Sequence, residues 1–335
     1  MKYSSNFIRF VFSRLIYRNI SYKIYNMSNF DSNIYGFLEP TVKQYGSSMV
    51  MTNVVKPTKT KIINIDTRFT DEHVYPKNGF NQIGTYTFTL PEKINEVKSI
   101  HVTSFELPMS FYNISAALGN SFFTLNANSG SKKIIQLDDG NYTDLSSVYL
   151  NLQTKLNAQG VDISSSILPK TSYTTLKNGP TSYEIDFNTD ICGNSDKYNF
   201  RSKLGWLLGY RDPSFSAVGN TSYVSPSAAN INTVRYLYLV VDEFSNSFPN
   251  SFVSPMNNHI MNKKILARFC IDTKNFPYGT VVHGNKYNGF LISDLRKYFG
   301  KVDIQRLGIQ LVNEYGVPIN LNGLDFSFVL EIDHE

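Results

Sequence analysis

The chain has 335 residues, 14% aromatic and only 18% charged, with two cysteines and a formal net charge of +5. That length can bury a substantial core, and low charge with abundant Tyr, Phe, Ile, Thr, Asn and Ser favours pleated, half-buried surface over long solvated helices. The surplus charge comes from Lys2, Arg9, Arg14, Arg18 and Lys23, leaving 27 basic and 27 acidic residues in the remainder, so an electrostatic grip on phosphate is set aside as the main activity and no specific nucleic-acid partner is expected.

The first 26 residues are basic, aromatic and free of acids, a composition that fits a targeting helix, a membrane-surface anchor or a basic arm. Arg9, Arg14 and Arg18 interrupt the apolar stretch too often for a membrane span. Met27 opens a more ordinary soluble start, and two readings stay open for residues 1–26: a disordered arm, or an upstream extension absent from the mature protein. Residues 27–60, with Pro40 and Pro57, read as an extended arm. The expected organisation is therefore an N-terminal extension over 1–60 and a folded domain over 61–335.

The domain opens on three β-like runs, Lys61 to Asp66, Thr85 to Leu90 and Val97 to Leu107. In the third, Ile100 and Val102 share one face and Phe105 and Leu107 the other, a phase change that predicts a bulge near Thr103 and Ser104 or burial on both faces. "SFFTLN" and "KKIIQL" follow as strands. Over about 143–159, Leu145, Val148, Tyr149, Leu152 and Leu156 recur at helical spacing, with Thr143 or Asp144 to cap the start and Gly160 to end it. This helix is expected to lie against a sheet.

Further strands are expected at "SYEIDF", Val234 to Phe244 and Lys264 to Asp272, the middle one apolar on both faces and therefore central. Long polar loops are expected over Thr171 to Pro180 and Phe244 to Asn262. The chain closes on two alternating segments, Leu307, Ile309 and Leu311 in one and Leu324, Phe326, Phe328, Leu330 and Ile332 in the other, read as a pair of strands joined by a long loop. Roughly nine or ten strands without a βαβ repeat give an all-β, antiparallel two-sheet β-sandwich with one inserted amphipathic helix.

Chemistry-bearing patterns are sparse. Cys192 and Cys270 stand alone, with neither zinc spacing nor a disulfide framework, and Cys270 reads as a small buried hydrophobe. The five histidines form no ligand-spaced pair, and His101 reads as a sheet residue. Asp66 and Arg68 sit two apart, hence on one strand face, as an ion pair. "DDGNYTD" has the acids of a calcium loop without its register or terminal Glu, so a turn feeding the helix cap is the simpler account. The sequons at Asn113, Asn141 and Asn220 are what an Asn- and Ser-rich chain produces by chance. "LGWLLGYRD" holds the single tryptophan, Trp206, either as packing for a short turn or as an aromatic platform for a sugar or base. No catalytic residue, cofactor site or metal site is assigned.

In this order, "NIDTRF", "VKSIHVTSFELPMSFYNIS", "LDDGNYTDLSSVYLNLQTKLN", "LGWLLGYRD" and "KYFGKVDIQRLGIQLVNEYGVPINLNGLDFSFVLEI" resemble a family of capsid-associated proteins of the nucleocytoplasmic large DNA viruses, across residues 60–332. The resemblance implies a non-enzymatic virion component of minor capsid or penton type, with a jelly-roll-like sandwich. It implies other capsid proteins as partners, the major capsid protein and further copies of this chain among them, and assembly in the host cytoplasm. Two readings stand beside it: a carbohydrate-binding β-sandwich on the virion surface that stacks sugars on Trp206, and a glycan-active enzyme with two carboxylates.

Overall fold

The computed structural model describes residues 41–45, 48–52 and 57–335, except 72–83, 128–131, 197–199, 233, 246–251, 257–258 and 262. The expectations for residues 1–26 lie outside the described residues. The chain divides into two compact units, with Met1–Thr58 in the first and Lys59–His334 as the second. In the first, β1 (Thr41–Tyr45) pairs antiparallel with β2 (Ser48–Thr52).

The second unit runs in chain order through β3 (Lys59–Asp66), β4 (Thr85–Pro108), β5 (Phe122–Ala127), β6 (Lys133–Gln136) and helix α1 (Leu145–Ala158). It continues with β7 (Ile163–Leu168), β8 (Tyr173–Asn178), β9 (Tyr183–Asp186), the one-turn helix α2 (Leu204–Leu207), β10 (Ser214–Ala217) and β11 (Ser222–Val224). β12 (Tyr236–Asp242), β13 (Pro255–Met256), β14 (His259–Ile260) and β15 (Ile265–Cys270) follow. The chain ends with β16 (Val281–Asn285), β17 (Leu291–Ser293), β18 (Arg296–Val312) and β19 (Ser327–His334). The fold class is the expected all-β antiparallel sandwich with few helices.

Eight of these strands form one curled sheet in the order β17-β15-β12-β18-β4-β19-β3, with β16 paired to the end of β4. Its axis is β4. Thr85 to Leu90 and Val97 to Leu107 are not two strands but parts of this single 24-residue strand. The ladder absorbs the intervening irregularity by shifting register against β18 between Thr89 and Ile94, so the missing N–H of Pro91 breaks none of the registered pairs. At the predicted phase change, Val102 faces Leu330 and Ser104 faces Val329, leaving Thr103 as the extra residue of a bulge. The bulge lets Ile100, Val102, Phe105 and Leu107 all be buried in spite of their opposite parity.

The closing segments are strands, but they are not paired with each other. β18 pairs with β12 and β4, β19 pairs with β4 and β3, and β4 therefore lies between them. A strand as long as β4 has both edges to offer, and the long connection after β18 lets the chain cross to the far edge. Inward rows are as expected, with Leu307, Ile309, Leu311, Phe326, Phe328, Leu330 and Ile332 all buried. Leu324 departs from the pattern: it precedes the strand and is half exposed at 50%. The central position of β12 holds, since Leu237, Leu239 and Val241 face the main core while Tyr238 and Val240 face a smaller cluster with Met261, Ile265 and Val312.

A second core forms between α1, the four-stranded sheet β10-β9-β5-β6 and the three-stranded sheet β11-β8-β7. Asp144 caps α1 by accepting from the Ser147 N–H at 2.8 Å, and Gly160 stops it in the left-handed region at φ 62°. Val148, Tyr149, Leu152 and Leu156 enter the core, the three aliphatic side chains each worth about 1.5–3 kcal/mol of burial. Around this core β7, β8, β10 and β11 are strands that the sequence reading does not assign. β8 occupies most of the stretch read as a polar loop, Thr171 to Pro180, because its inward row is Thr174, Leu176 and Asn178, two of them polar. Thr174 donates to the Leu208 carbonyl and Asn178 to the Ala217 carbonyl, both at 2.8 Å, which satisfies the buried hydroxyl and the amide NH₂. The loop expected over Phe244 to Asn262 likewise contains the short pair β13 and β14.

Candidate functional site

"LGWLLGYRD" places the site. In α2 and its C-cap, Leu204, Leu207 and Leu208 recur at the spacing of one helical face and fill the second core, which turns Trp206 away from it. Gly205 is required by close approach: a Cβ there would run into the Phe187 ring. Trp206 lies half-buried in the wall of a cleft of ≈ 450 Å³ within the second unit. Arg201 and Arg211 flank it on the helical side, while Arg235, Glu314 and Tyr315 come from residues bordering the curled sheet.

The tryptophan does not present a bare face. The Arg211 guanidinium lies over its ring at 4.0 Å, the Arg201 guanidinium lies over it at 5.5 Å, and Phe200 meets it edge-on at 5.7 Å. Arg211 is anchored by donating to the carbonyls of Trp206 and Tyr210 at 3.1 and 3.0 Å. Burial lowers its pKa, yet a guanidinium stays charged at physiological pH. Arg201 and Arg235 are exposed and make no side-chain hydrogen bond or ion pair among the described residues.

Glu314 is the one carboxyl among the described residues of the lining. Burial pushes its pKa up, against the attraction of Arg235, and its Oε2 is enclosed without a hydrogen-bond partner among the described residues. Burial likewise raises the Tyr315 phenol, with the neighbouring Glu314 adding to the shift. Asn230 and Asn313 belong to the polar lining, beside Asn120, Ser202 and Asn232. Their Oδ1 atoms accept from backbone N–H groups, Asn232 in the first case and Tyr315 and Val317 in the second, which orients both amides. The two amide NH₂ groups donate to nothing among the described residues. The site is rich in donors and poor in acceptors.

Other singled-out residues go elsewhere. Asp66 ends β3 and caps a 3-10 turn, accepting from the Arg68 backbone N–H at 3.0 Å and pairing with its guanidinium at 2.5 Å. The two residues are thus not on one strand face; they form a local cap, and the Arg68 hydrogen bonds hold the Asp66 carboxyl below its ordinary pKa. Asp138 pairs with Lys155 of α1 at 2.5 Å and accepts from Asn151 at 2.7 Å, while Asp144 caps the helix. His101 faces Glu331 across the ladder at 3.9 Å. Cys192 is exposed, and Cys270 is half-buried rather than fully buried because it stands at the end of β15. Asn113 is buried with its amide donating to the Tyr142 and Ile231 carbonyls at 2.8 and 3.3 Å, so that sequon is a structural tie. Among the described residues no group of three or more His, Cys, Asp or Glu gathers.

Only Trp206 and Arg211 carried a sequence signal for the cleft, as neighbours in one motif. Arg201, Arg235 and Glu314 are spread over more than a hundred residues and have no local pattern. No family model matches the chain, and no curated protein matches it. Among solved structures it is similar to the penton protein of mavirus, at 9% identity and a TM-score of 0.38, over 84% of this chain and 100% of that one. A likeness this loose carries no residue of that protein over to this chain.

Proposed function

We propose that the chain is a non-enzymatic structural component of an icosahedral virion shell, of minor capsid or penton type. It works by burying surface against other capsid proteins, the major capsid protein and its own copies included, in particles assembled in the host cytoplasm. The observation that carries this reading is where the five capsid-like segments fall. They supply the end of β3 with its cap, the second half of β4, α1, α2 and most of the closing strands β18 and β19, which lie in the curled sheet and the second core.

Exposed aromatic side chains support a contact role. Phe299 in β18 and Tyr287 after β16 are 102% and 86% exposed, and both rings are open to a neighbouring chain. The test is to map the chain in a reconstruction of the virion. Density for the curled sheet within the shell is the expected result, and a virion whose shell lacks the chain overturns the reading.

A further inference from the structure

We propose that the cleft beside Trp206 is a docking site for an acidic peptide segment of a partner chain. Three guanidiniums, Arg201, Arg211 and Arg235, converge on it, and none of them is paired with a carboxylate among the described residues. The amide NH₂ groups of Asn230 and Asn313 add donors whose orientation is already set by their own backbone contacts. An occupant must therefore bring acceptors and negative charge. Planar guanidinium forks match carboxylates, and directed amides match the carbonyls of a backbone.

One carboxyl, that of Glu314, stands in the wall against three guanidiniums, so the lining keeps an excess of positive charge for an acidic occupant. The guanidinium over the Trp206 ring separates a peptide from a sugar or base, because it occupies a face on which a ring would stack. What the cleft offers is hydrogen bonding and charge, with Trp206 as the support that holds the guanidiniums in place. A volume of ≈ 450 Å³ accommodates a short segment rather than a single ion. That the segment belongs to a neighbouring shell protein rests on the proposed function; the chemistry of the cleft does not.

Trp206 is the only tryptophan, so intrinsic fluorescence of the full chain reports this site directly. The probes are an alternating Glu–Gly octapeptide, its Gln–Gly counterpart, inorganic phosphate and sialyllactose. The expected result is a saturable emission change with the Glu–Gly peptide, at least tenfold weaker with the Gln–Gly peptide and weakened by added salt. Arg201→Gln and Arg235→Gln, both at exposed positions, each weaken the Glu–Gly peptide at least tenfold with an unchanged melting curve, and Lys170→Gln, exposed elsewhere, leaves it unchanged. Tighter saturation by phosphate or by sialyllactose overturns the proposal in favour of a small-anion or sugar site. So does equal loss with Lys170→Gln, or no saturable change with any probe. These titrations use isolated protein, so they fail or succeed independently of where the chain sits in a virion.

Discussion

At the scale of residues, a fully buried carboxyl and a half-buried one have opposite fates. Glu243 is matched: it pairs with Arg296 at 3.0 Å, both side chains almost completely enclosed, and Arg296 also donates to the Val241 and Lys264 carbonyls. Removing one partner strands a buried charge, so Glu243→Ala is expected to lose about 3–5 kcal/mol in urea unfolding, while an apolar replacement of both residues recovers most of it. Glu314 is unmatched. Its folded pKa lies above its unfolded one, so the native state binds the proton more tightly and stability falls as pH rises through the carboxyl range. Glu314→Gln removes that slope. The variant is expected to match the parent at pH values below the unfolded carboxyl pKa of about 4.3 and to exceed its stability at pH 8, as read by paired urea titrations.

At the scale of elements, β4 and β19 decide the curled sheet. β19 is enclosed by β4 on one edge and β3 on the other, and Phe328 and Leu330 in its inward row are 1% and 0% exposed. Phe328→Ala is expected to cost about 3–5 kcal/mol, measured by chemical unfolding, because the cavity opens in the middle of the main core. Period-two patterning makes the inward row of β19 legible in the sequence, since alternation is a property of the strand alone. The neighbours of β19 are not legible in that way. A hairpin reading joins it to β18, and only the length of β4 shows why both strands go to that one partner. β8 escapes the sequence for a different reason: its inward Thr174 and Asn178 look like loop residues until the carbonyls that receive them are in view.

At the scale of the whole molecule, the second unit carries two main cores of different make-up, one enclosed by the curled sheet and one around α1 and the smaller sheets. Separate cores allow separate opening. Leu152→Ala, in the second core, is expected to cost about 2–5 kcal/mol and to accelerate amide exchange in β5 to β11 while β4, β18 and β19 keep their protection. Uniform acceleration across both regions in a hydrogen-exchange experiment contradicts this and shows one cooperative unit. The Trp206 cleft draws its two walls from these two regions, so any segment that docks there is expected to raise the protection of both.

By itself the sequence determined the β class, the approximate span of α1 with its cap narrowed to Thr143 or Asp144, the buried rows of the closing strands, and a phase change in β4 that meant a bulge near Thr103 and Ser104 or burial on both faces. Each of these rests on periods, caps and turn chemistry that act over a few residues, and such local preferences survive in any context that buries one face. Only the tertiary structure decided which strands are neighbours, because pairing depends on which edges remain free once a strand as long as β4 is in place. The same holds for the cleft. Arg201, Arg211, Arg235 and Glu314 acquire their joint character only where the chain brings them to one cavity, and charges separated by that much sequence leave no mark in any local pattern.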